Sequence, residues 1–557
     1  AAAALAVFAG VTWLFFGGSH GILSASLIYE EAFTTEGAMT ALNLGALALA
    51  MALAAILIRR RPAALAVALA ALCFAAGGMA GRNAANISRD YAAVVETLAT
   101  SRREEQPTIP LSRTGKNVVV MMLDRAVSEY VPYLLEERPA LKEAFAGFTY
   151  YDHAISFGTH TNIGTPGLYG GYDYTPEAMN ARSDLTLAEK HDEALRLMPA
   201  LFSASGYPVT VFDPPYAGYS SPPDLTIYDG MAGVRAFRTM DGSFAGEAFD
   251  RESESVLRRN FFCYGVFRSS PLILQPLLYD GGWYLRAEET TPGVQYAAGL
   301  SEARGRSALF ARDYGVLDSL PDISVITEDL PGTFLLMANN TTHDAEALLQ
   351  TPDYTPEAVV DNRDYDAAHD PRTAEGLPDL RLTDLLQTRT YHINMAAFIQ
   401  LGEWFDWMRE NGVYDNTRII LVSDHGMYDL YHGEGDMPMA ADPGGSGTVY
   451  DLNWFDCLLM VKDFGATDFR TDDTFMTNAD TPALALAGLV DNPVNPFTGN
   501  PVDMSGKEVP EVHVYDAPGD RVWDIYSNNG ATWMPGDWFA VGGDIQDPAC
   551  WRFLEYK

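Results

Sequence analysis

Two residue types that bind metal ions stand side by side at the end of an apolar run. Residues 418–423 (RIILVS) have the length and composition of a buried strand, and Asp424, His425 and Gly426 follow directly. A carboxylate oxygen and an imidazole nitrogen are ligands that suit Zn²⁺ or Mn²⁺. The pattern indicates a candidate metal site, and a plain turn is the alternative that the pattern leaves open.

Two other apolar runs end in residues of the same kind. Asp124 follows residues 117–123, and His343 comes shortly after residues 333–338. A single Asp after a strand is often a turn former, and a single His is often a structural residue. These residues become a site only if the fold brings them together with the Asp-His pair.

A segment rich in glycine and threonine supplies candidate nucleophiles. Residues 156–171 read SFGTHTNIGTPGLYGG, with hydroxyls at Thr159, Thr161 and Thr165. A hydroxyl is a weak nucleophile, and a bound divalent cation activates it by lowering its pKa. From these residues alone, a loop that carries a nucleophile and an ordinary glycine-rich turn both stay open.

The elements that must position these residues follow from the apolar pattern. Helical stretches separate the apolar runs, and the clearest has apolar residues at steps of three and four from Tyr391 to Met408, ending at Asn411 and Gly412. Strands that alternate with helices predict a parallel sheet wrapped by helices, with ligands bound beyond the carboxyl ends of the strands. The runs of strand length are 117–123, 207–212, 333–338, 418–423 and 457–461.

The first part of the chain has the composition of a membrane anchor. Residues 41–58 and 63–80 are apolar and uncharged, and residues 1–16 form a further apolar run. A span needs about 20 apolar residues, so we expect about three transmembrane helices over residues 1–82. A buried hairpin in a soluble core is the alternative. Because the chain opens with four alanines and no Met, we expect that the N-terminus is truncated.

The charges between the apolar runs predict an orientation. Arg59, Arg60 and Arg61 lie between the second and third runs, whereas residues 17–40 contain Glu but no Lys or Arg. Short basic loops stay in the cytoplasm. We therefore expect a multi-pass protein of the cell membrane, with a juxtamembrane helix and linker over 83–112 and the rest of the chain extracellular.

Composition excludes several classes of protein. The 557 residues carry 74 acidic and 37 basic side chains, a formal net charge of −37, which argues against a nucleic-acid partner because phosphate binding needs clustered Lys and Arg. Four widely spaced cysteines exclude a disulfide scaffold and a zinc ribbon. A single bridge between Cys263 and Cys550 stays open.

The C-terminal residues 511–557 predict a small β-rich cap. They contain Gly-rich turns and four of the nine tryptophans of the chain, Trp523, Trp533, Trp538 and Trp551. Packing of these rings against the main domain and stacking on a glycan are both open.

Taken together, these motifs resemble a known family. Asp124 after a strand, the threonine-rich turn, Thr342-His343 and residues 414–426 (YDNTRIILVSDHG) resemble the alkaline phosphatase superfamily, in its branch of membrane-anchored sulfatase-like transferases. That branch includes lipoteichoic acid synthase, the phosphoethanolamine transferases of lipid A and glycerol-phosphate transferases. The resemblance covers about residues 113–500 and implies an α/β catalytic domain over 113–510, with a mostly parallel central sheet flanked by helices.

The resemblance also implies roles for single residues. Asp124, Asp424, His425 and the Thr161 hydroxyl would hold one divalent metal ion, Mn²⁺ or Zn²⁺. Asp124 stands where the family often has Glu. Thr161 is selected as the nucleophile because it is the second Thr of the segment 158–166, five residues before its Pro.

Two histidines match the phosphate site of the family. His343 corresponds to the residue that contacts the transferred phosphate, and His432 falls where several relatives have a second histidine. Trp283 and Arg286 are candidate contacts for the headgroup of the donor, with simple packing as the alternative.

Two departures from the family narrow the expected activity. The cysteines that flank the nucleophile in some phosphoethanolamine transferases are absent, and so is the Cys-x-Pro-x-Arg sequence from which sulfatases form formylglycine. Both favour transfer of phosphoglycerol or a similar phospho-alcohol from a phospholipid donor to an envelope glycan or polymer, through a phosphothreonine intermediate.

Other activities remain open at this point. A phosphoethanolamine transferase and a phosphodiesterase or phosphatase-type hydrolase would use the same site. A non-catalytic glycan-binding envelope protein is the alternative from another class, and it predicts an incomplete metal set.

Overall fold

The structure is a computed structural model. It describes residues 9–13, 15–18, 27, 29, 33, 35–100, 106–245, 247–282, 284–285, 302–304, 308–343, 347–357, 359–383, 385–427, 439–441, 449–507, 510–517, 530–533 and 535–554. The chain divides into two compact units, Ala1–Glu96 with Glu247–Thr291, and Thr97–Gly246 with Pro292–Lys557. The predicted domain boundaries stay a prediction, and the grouping of 247–291 with the N-terminal helices was not foreseen.

The α-helices and strands are numbered here in chain order. The helices are α1 (Gly37–Arg60), α2 (Pro62–Thr100), α3 (Val131–Glu137), α4 (Pro139–Ala144), α5 (Thr161–Gly170), α6 (Pro176–Ala181), α7 (Leu187–Ala204), α8 (Glu247–Ser269), α9 (Gln275–Tyr279), α10 (Ala308–Asp318), α11 (Leu320–Ile323), α12 (Arg363–His369), α13 (Leu385–Glu410) and α14 (Thr481–Leu486). The strands are β1 (Ile109–Ser112), β2 (Asn117–Leu123), β3 (Phe148–Tyr151), β4 (Ala154–Ile155), β5 (Val209–Phe212), β6 (Val234–Phe237), β7 (Glu302–Arg304), β8 (Ser324–Thr327), β9 (Phe334–Asn339), β10 (Val359–Asp361), β11 (Thr417–Val422), β12 (Met439–Ala441), β13 (Val449–Asp451), β14 (Leu459–Lys462), β15 (Arg470–Asp472), β16 (Met476–Thr477), β17 (Val512–Asp516), β18 (Asp537–Val541) and β19 (Trp551–Leu554).

Two helices of the first unit have the properties of membrane spans. In α1 and in residues Pro62–Ala93 of α2, the most apolar windows have mean hydropathies of 2.4 and 2.1, and most of their side chains face outward. Pro62 cannot continue the hydrogen bonding of α1, so the two helices meet at the arginine-rich turn. Of the predicted first run, residues 9–13 and 15 are helical, and the rest lie outside the described residues.

The second unit is built on a mostly parallel sheet, as predicted. Within the described residues this sheet has eight strands in the order β15-β3-β14-β11-β2-β9-β5-β6. Strands β2, β9 and β11 are buried along their whole length, which explains their continuous apolar sequences. The expected α/β fold class is confirmed.

One of the five predicted strands runs against the others. β14 pairs antiparallel with both β11 and β3. The chain leaves β11 and enters β14 at the same edge of the sheet, and the described residues between them contain no α-helix that would carry the chain back across it. An apolar run indicates that a strand is buried but not in which direction it runs, so the sequence pattern did not reveal the reversed direction of β14.

The two faces of the sheet pack on different helices. Alternate residues of β2 belong to different clusters: Val119 and Met121 pack with α13, and Val118 and Val120 pack with α7. The predicted apolar face of α13 lies buried in the first cluster, so the helical period seen in the sequence was correct. The helix stops before Gly412, whose φ of 69° suits glycine.

The C-terminal residues form a three-stranded antiparallel sheet, β17-β18-β19, in agreement with the predicted β-rich region. Trp533 and Trp538 are buried beside Tyr515, so these two rings pack inside the protein. Trp523 lies outside the described residues. All four cysteines are free thiols, so the bridge between Cys263 and Cys550 is not formed.

Candidate active site

Three predicted metal ligands converge at the carboxyl edge of the central sheet. Asp124, Asp424 and His425 are buried, and one ligand atom of each lies within 4.8 Å of the others. They meet because β2 and β11 are parallel neighbours in register, with Met122 opposite Val422. The residues that follow these two strands therefore emerge side by side.

The His425 ring is oriented as a metal ligand would be. Its Nδ1 lies 2.8 Å from the carbonyl oxygen of Gly426, so Nδ1–H donates to that oxygen and Nε2 keeps its lone pair. Nε2 lies 3.6 Å from Oδ2 of Asp424. Burial lowers the pKa of His425 to about 4, which keeps the imidazole neutral at physiological pH.

One oxygen of the Asp424 carboxylate accepts a hydrogen bond from the backbone, and the other is available to a cation. Oδ1 accepts a 3.1 Å hydrogen bond from the backbone N–H of Arg125. Oδ2 is buried and accepts no hydrogen bond from the described residues. Burial of a carboxylate oxygen without a hydrogen bond costs free energy unless a nearby cation offsets its charge. The donor set of two carboxylates and one imidazole thus fits a divalent metal such as Mn²⁺ or Zn²⁺.

Helix α5 places Thr161 at the same edge of the sheet. Thr161 is the first residue of α5, and a Cβ added at Gly164, one turn later, would collide with the carbonyl oxygen of Asp424. The Asn478 amide donates to the carbonyl oxygens of both Gly164 and Asp424, at 3.2 Å each. The N-terminal turn of α5 is therefore held against Asp424, a candidate metal ligand, and its dipole there favours an anion.

The hydroxyls of the three candidate threonines have different surroundings. Thr165 donates to the carbonyl oxygen of Thr161, 2.5 Å away. Thr159 donates to Oδ1 of Asp516 at 2.6 Å. The Thr161 hydroxyl makes no hydrogen bond with the described residues, although Thr161 is buried. Within the described part of the chain, Thr161 is thus the candidate threonine whose hydroxyl is not hydrogen-bonded.

His343 lies beside the three ligands. Its Nε2 is 4.0 Å from Oδ1 of Asp124, and a quarter of its side chain is exposed. The neighbouring Thr342 hydroxyl donates a 2.6 Å hydrogen bond to the carbonyl oxygen of Asp124, which fixes the end of β9 against the end of β2. His432, Trp283 and Arg286 lie outside the described residues, so their roles stay predictions.

The site contains residues that the sequence analysis did not identify. The His160 ring stacks on Trp454, with centroids 5.7 Å apart and planes at 19°, and Trp454 is also 5.7 Å from the His425 ring. The Arg125 guanidinium lies 5.7 Å from the Trp454 ring. Burial, His425 and Arg125 lower the pKa of His160 to about 3. The only sequence signal was the position of His160 immediately before Thr161.

A hydrogen-bonded chain sets the state of His160. Its Nδ1 lies 2.9 Å from the Thr159 hydroxyl. That hydroxyl gives its single proton to Asp516, so Nδ1 of His160 must be the donor to the hydroxyl oxygen. Nε2 of His160 then carries a lone pair.

No protein-family model and no curated protein sequence matches this chain. Solved structures do resemble it. A phosphonate monoester hydrolase of Agrobacterium radiobacter is 15% identical over 79% of this chain and 89% of its own, with a TM-score of 0.41. A protein in the alkaline phosphatase superfamily from Vibrio parahaemolyticus is 13% identical over 81% and 84%, with a TM-score of 0.37.

A third solved structure is the lipoteichoic acid synthase LtaP from Listeria monocytogenes, 11% identical over 76% of this chain and 80% of its own, with a TM-score of 0.37. These neighbours are members of the alkaline phosphatase superfamily. It is the superfamily that the sequence motifs resemble. At these identities and TM-scores the likeness says nothing about the roles of the residues in this chain.

Proposed function

We propose that this chain is a metal-dependent phosphotransferase of the cell envelope. It transfers a phosphoglycerol or similar phospho-alcohol group from a phospholipid donor to an envelope glycan or polymer. The observation that carries this proposal is the meeting of Asp124, Asp424 and His425 with the N-terminal turn of α5, which bears Thr161. All the candidate metal-ligating residues are present in the sequence, which also favours an enzyme over a non-catalytic glycan-binding protein.

In the first half of the reaction, Thr161 acts as the nucleophile. Asp124, Asp424, His425 and Thr161 would hold one Mn²⁺ or Zn²⁺, which when bound supplies a Lewis acid that lowers the hydroxyl pKa and offsets phosphoryl charge. The Thr161 oxygen attacks the donor phosphorus and the bond from phosphorus to the diacylglycerol oxygen breaks. The proton of the threonine hydroxyl passes to the departing diacylglycerol oxygen, and a phosphothreonine diester remains.

In the second half, a hydroxyl of the acceptor attacks the same phosphorus. The Thr161 oxygen leaves and takes back a proton, so the enzyme returns to its starting state. His343, partly exposed beside Asp124, is placed to bind a phosphate oxygen or to carry the proton, and His432 is the predicted second histidine of this group. The dipole of α5 stabilises the negative charge on the phosphoryl oxygens in both halves.

The membrane helices fit a lipid donor. Helices α1 and α2 are long and apolar enough to cross a bilayer, and Arg59–Arg61, where the two helices meet, favour the cytoplasm for that turn. We infer that the chain is a multi-pass membrane protein with an extracellular catalytic unit, where donor lipids of the outer leaflet and the acceptor are both available. Trp283 and Arg286 remain candidate contacts for the donor headgroup.

The same residues would serve a phosphoethanolamine transferase or a hydrolase of the phosphodiesterase type. These activities differ in the headgroup that is accepted and in whether an alcohol or water attacks the intermediate. The test is therefore to trap the intermediate. The purified full-length chain is incubated with Mn²⁺ or Zn²⁺ and either phosphatidylglycerol or phosphatidylethanolamine, without acceptor, and the intact protein is weighed by mass spectrometry.

We expect a phosphoglycerol adduct on Thr161 with phosphatidylglycerol, and its loss when an acceptor glycan is added. Thr161→Ala should form no adduct, whereas Thr165→Val, which removes a hydroxyl that only bonds within α5, should still form it. A phosphoethanolamine adduct would instead indicate a phosphoethanolamine transferase. Release of the phosphorylated headgroup into solution without an acceptor would indicate a hydrolase. An adduct that persists in Thr161→Ala would overturn the nucleophile.

A further inference from the structure

We propose that residues 258–282 and 284–285 form a membrane-interface element, which lies beside helix α1 at the boundary between the lipid headgroups and the acyl chains. In the chain this segment lies between strands β6 and β7 of the second unit, yet it packs with the N-terminal helices. The inference rests on the proposed membrane anchor but not on the chemistry proposed for Thr161.

The element exposes a set of large apolar side chains. Phe262 is 74% exposed, and Phe261 and Leu277 are each 63% exposed. Scattered apolar residues are normal on a soluble surface, but several large exposed ones within one short segment favour an interaction site. The exposed members are Phe261, Phe262, Val266, Ile273, Leu274, Leu277 and Leu285.

The opposite side of the element is packed, so the exposed face is not the result of a loose segment. Phe267 and Tyr279 are buried, with ring centroids 5.6 Å apart. Tyr29, from the segment before α1, joins them, with its ring 5.4 Å from Tyr279 and its backbone N–H donating to the Tyr279 hydroxyl at 2.7 Å. The Tyr284 hydroxyl donates to the carbonyl oxygen of Leu27.

A direct hydrogen bond sets the position of the element along α1. The backbone N–H of Leu272 donates to Oδ1 of Asn43, 3.1 Å away, and Asn43 is fully buried. Asn43 lies six residues after Gly37, the first residue of α1. At 1.5 Å per residue this is about 9 Å from the start of the helix, within the outer third of a hydrocarbon core about 30 Å thick.

Exposed apolar residues of α1 lie next to this contact in the helix. Leu42, one residue before Asn43, is 63% exposed on α1. If α1 spans the bilayer, lipid that covers Leu42 also reaches the side chains next to Leu272. This continuity is what selects lipid, rather than another protein, as the partner of the element.

The length and charges of the segment suit an interfacial position rather than a third span. Residues 260–267 are uncharged, but they would cover only about 12 Å of the bilayer as a helix. Arg258 and Arg259 precede them and Arg268 follows, so basic residues bound this short apolar stretch on both sides. Tyrosines, of which the element has Tyr264, Tyr279 and Tyr284, are enriched at the same depth.

The orientation inferred above then assigns the element to one leaflet. Arg59 and Arg60 end α1, whereas Asn43 lies near its other end. With the arginine-rich turn in the cytoplasm, the element lies in the outer leaflet. This is the leaflet in which the proposed donor lipid resides.

Photo-crosslinking of the full-length chain in lipid nanodiscs tests the proposal. Phe262 or Leu277 is replaced by p-benzoylphenylalanine, the sample is irradiated, and adducts are identified by mass spectrometry. Phe74, 82% exposed on α2, is the positive control, and Leu377, 45% exposed in the catalytic unit, is the control for an ordinary exposed apolar residue. The Thr161→Ala background removes any dependence on turnover.

We expect lipid adducts at positions 262 and 277, attached near the glycerol end of the acyl chain, and none at position 377. Covalent dimers of the chain in place of lipid adducts would show that a second copy covers this face and would overturn the proposal. So would the absence of lipid adducts at 262 and 277 when position 74 gives them. If position 74 also fails, the membrane anchor itself is wrong, whereas failure of the transferase chemistry leaves all these results unchanged.

Discussion

The Thr159 hydroxyl donates a 2.6 Å hydrogen bond to Oδ1 of Asp516, although the two residues are 357 positions apart in the chain. The bond joins the segment that leads into Thr161 to the C-terminal sheet. Through Thr159 it also sets the tautomer of His160, which stacks on Trp454 beside His425. The C-terminal sheet therefore helps to position residues of the proposed active site.

Removal of the Asp516 carboxylate should slow transfer without loss of metal. In Asp516→Ala the Thr159 hydroxyl is free to turn its proton toward His160, so the ring loses its fixed tautomer. Loss of an orienting partner of this kind costs about 10-fold or more in activity. The measurements are kcat, KM and metal content by elemental analysis.

Two variants control for a purely structural effect of Asp516. Asp516→Asn keeps a carbonyl oxygen for Thr159 and should recover most of the rate. Glu511→Gln, which alters an exposed carboxylate beside the same strand, should leave the rate unchanged. An Asp516→Ala enzyme with normal kcat would show that the chain from Asp516 to His160 has no role in the reaction.

Substitution of Asp424 should abolish both metal binding and the stabilisation that metal provides. Asp424→Asn keeps Oδ1 as the acceptor for the Arg125 N–H but loses the negative charge at Oδ2. For the wild type, metal at 100 times its Kd should stabilise the folded state by about 2.7 kcal/mol. The melting temperature with and without Mn²⁺ or Zn²⁺ measures this effect.

In the variant the added metal should leave the melting temperature unchanged. Without metal, Asp424→Asn should be at least as stable as the wild type, because an uncompensated buried charge has been removed. A metal-dependent rise in the melting temperature of Asp424→Asn equal to that of the wild type would show that the ion binds elsewhere.

Two glycines of α5 offer a matched pair of substitutions. A Cβ at Gly164 would collide with the carbonyl oxygen of Asp424, whereas a Cβ at Gly167 would meet its nearest neighbour, the Phe157 ring, at an ordinary 3.5 Å. Gly164→Ala should therefore push the N-terminal turn of α5 away from the ligand, with a loss of about 1–3 kcal/mol in the free energy of unfolding and a large loss of activity.

Gly167→Ala should keep the activity and gain up to about 1 kcal/mol, because alanine favours a helix over glycine. Chemical denaturation and a transfer assay on both variants make the comparison. Equal activity in the two would mean that the approach of α5 to Asp424 is not needed for catalysis.

A buried histidine of helix α13 predicts the acid sensitivity of the fold. His392 is fully buried, its Nδ1 accepts a 3.1 Å hydrogen bond from the Leu349 N–H, and burial lowers its pKa to about 3. The unfolded chain, with a histidine pKa near 6.5, binds the proton more readily. Stability due to His392 is thus complete above pH 6.5 and falls, by up to about 1.4 kcal/mol per pH unit, as the pH drops toward 3.

The variant His392→Asn keeps an acceptor for Leu349 but has no ionisable group. Its melting temperature should fall less steeply than that of the wild type between pH 6.5 and 4, as followed by circular dichroism. Parallel curves for the two proteins would show that His392 does not contribute to the acid response.

Much of the fold followed from local pattern in the sequence. The fully apolar strands β2, β9 and β11 and the apolar face of α13 are visible as short-range periodicity, because burial on one or both faces acts on every residue in turn. Polar residues at the ends of such strands predicted where Asp124, His343 and Asp424 lie. The predicted fold class is confirmed, whereas the metal and catalytic roles of these residues stay predictions.

What the tertiary structure alone decided are the contacts between distant parts of the chain. The reversed direction of β14, the approach of Gly164 to Asp424, the bond from Thr159 to Asp516 and the packing of Leu272 on Asn43 have no counterpart in local sequence pattern. Periodicity records whether a residue is buried, but not which of many buried surfaces it meets. That choice depends on the packing of the whole chain, and in this protein it completes both the proposed active site and the proposed membrane-interface element.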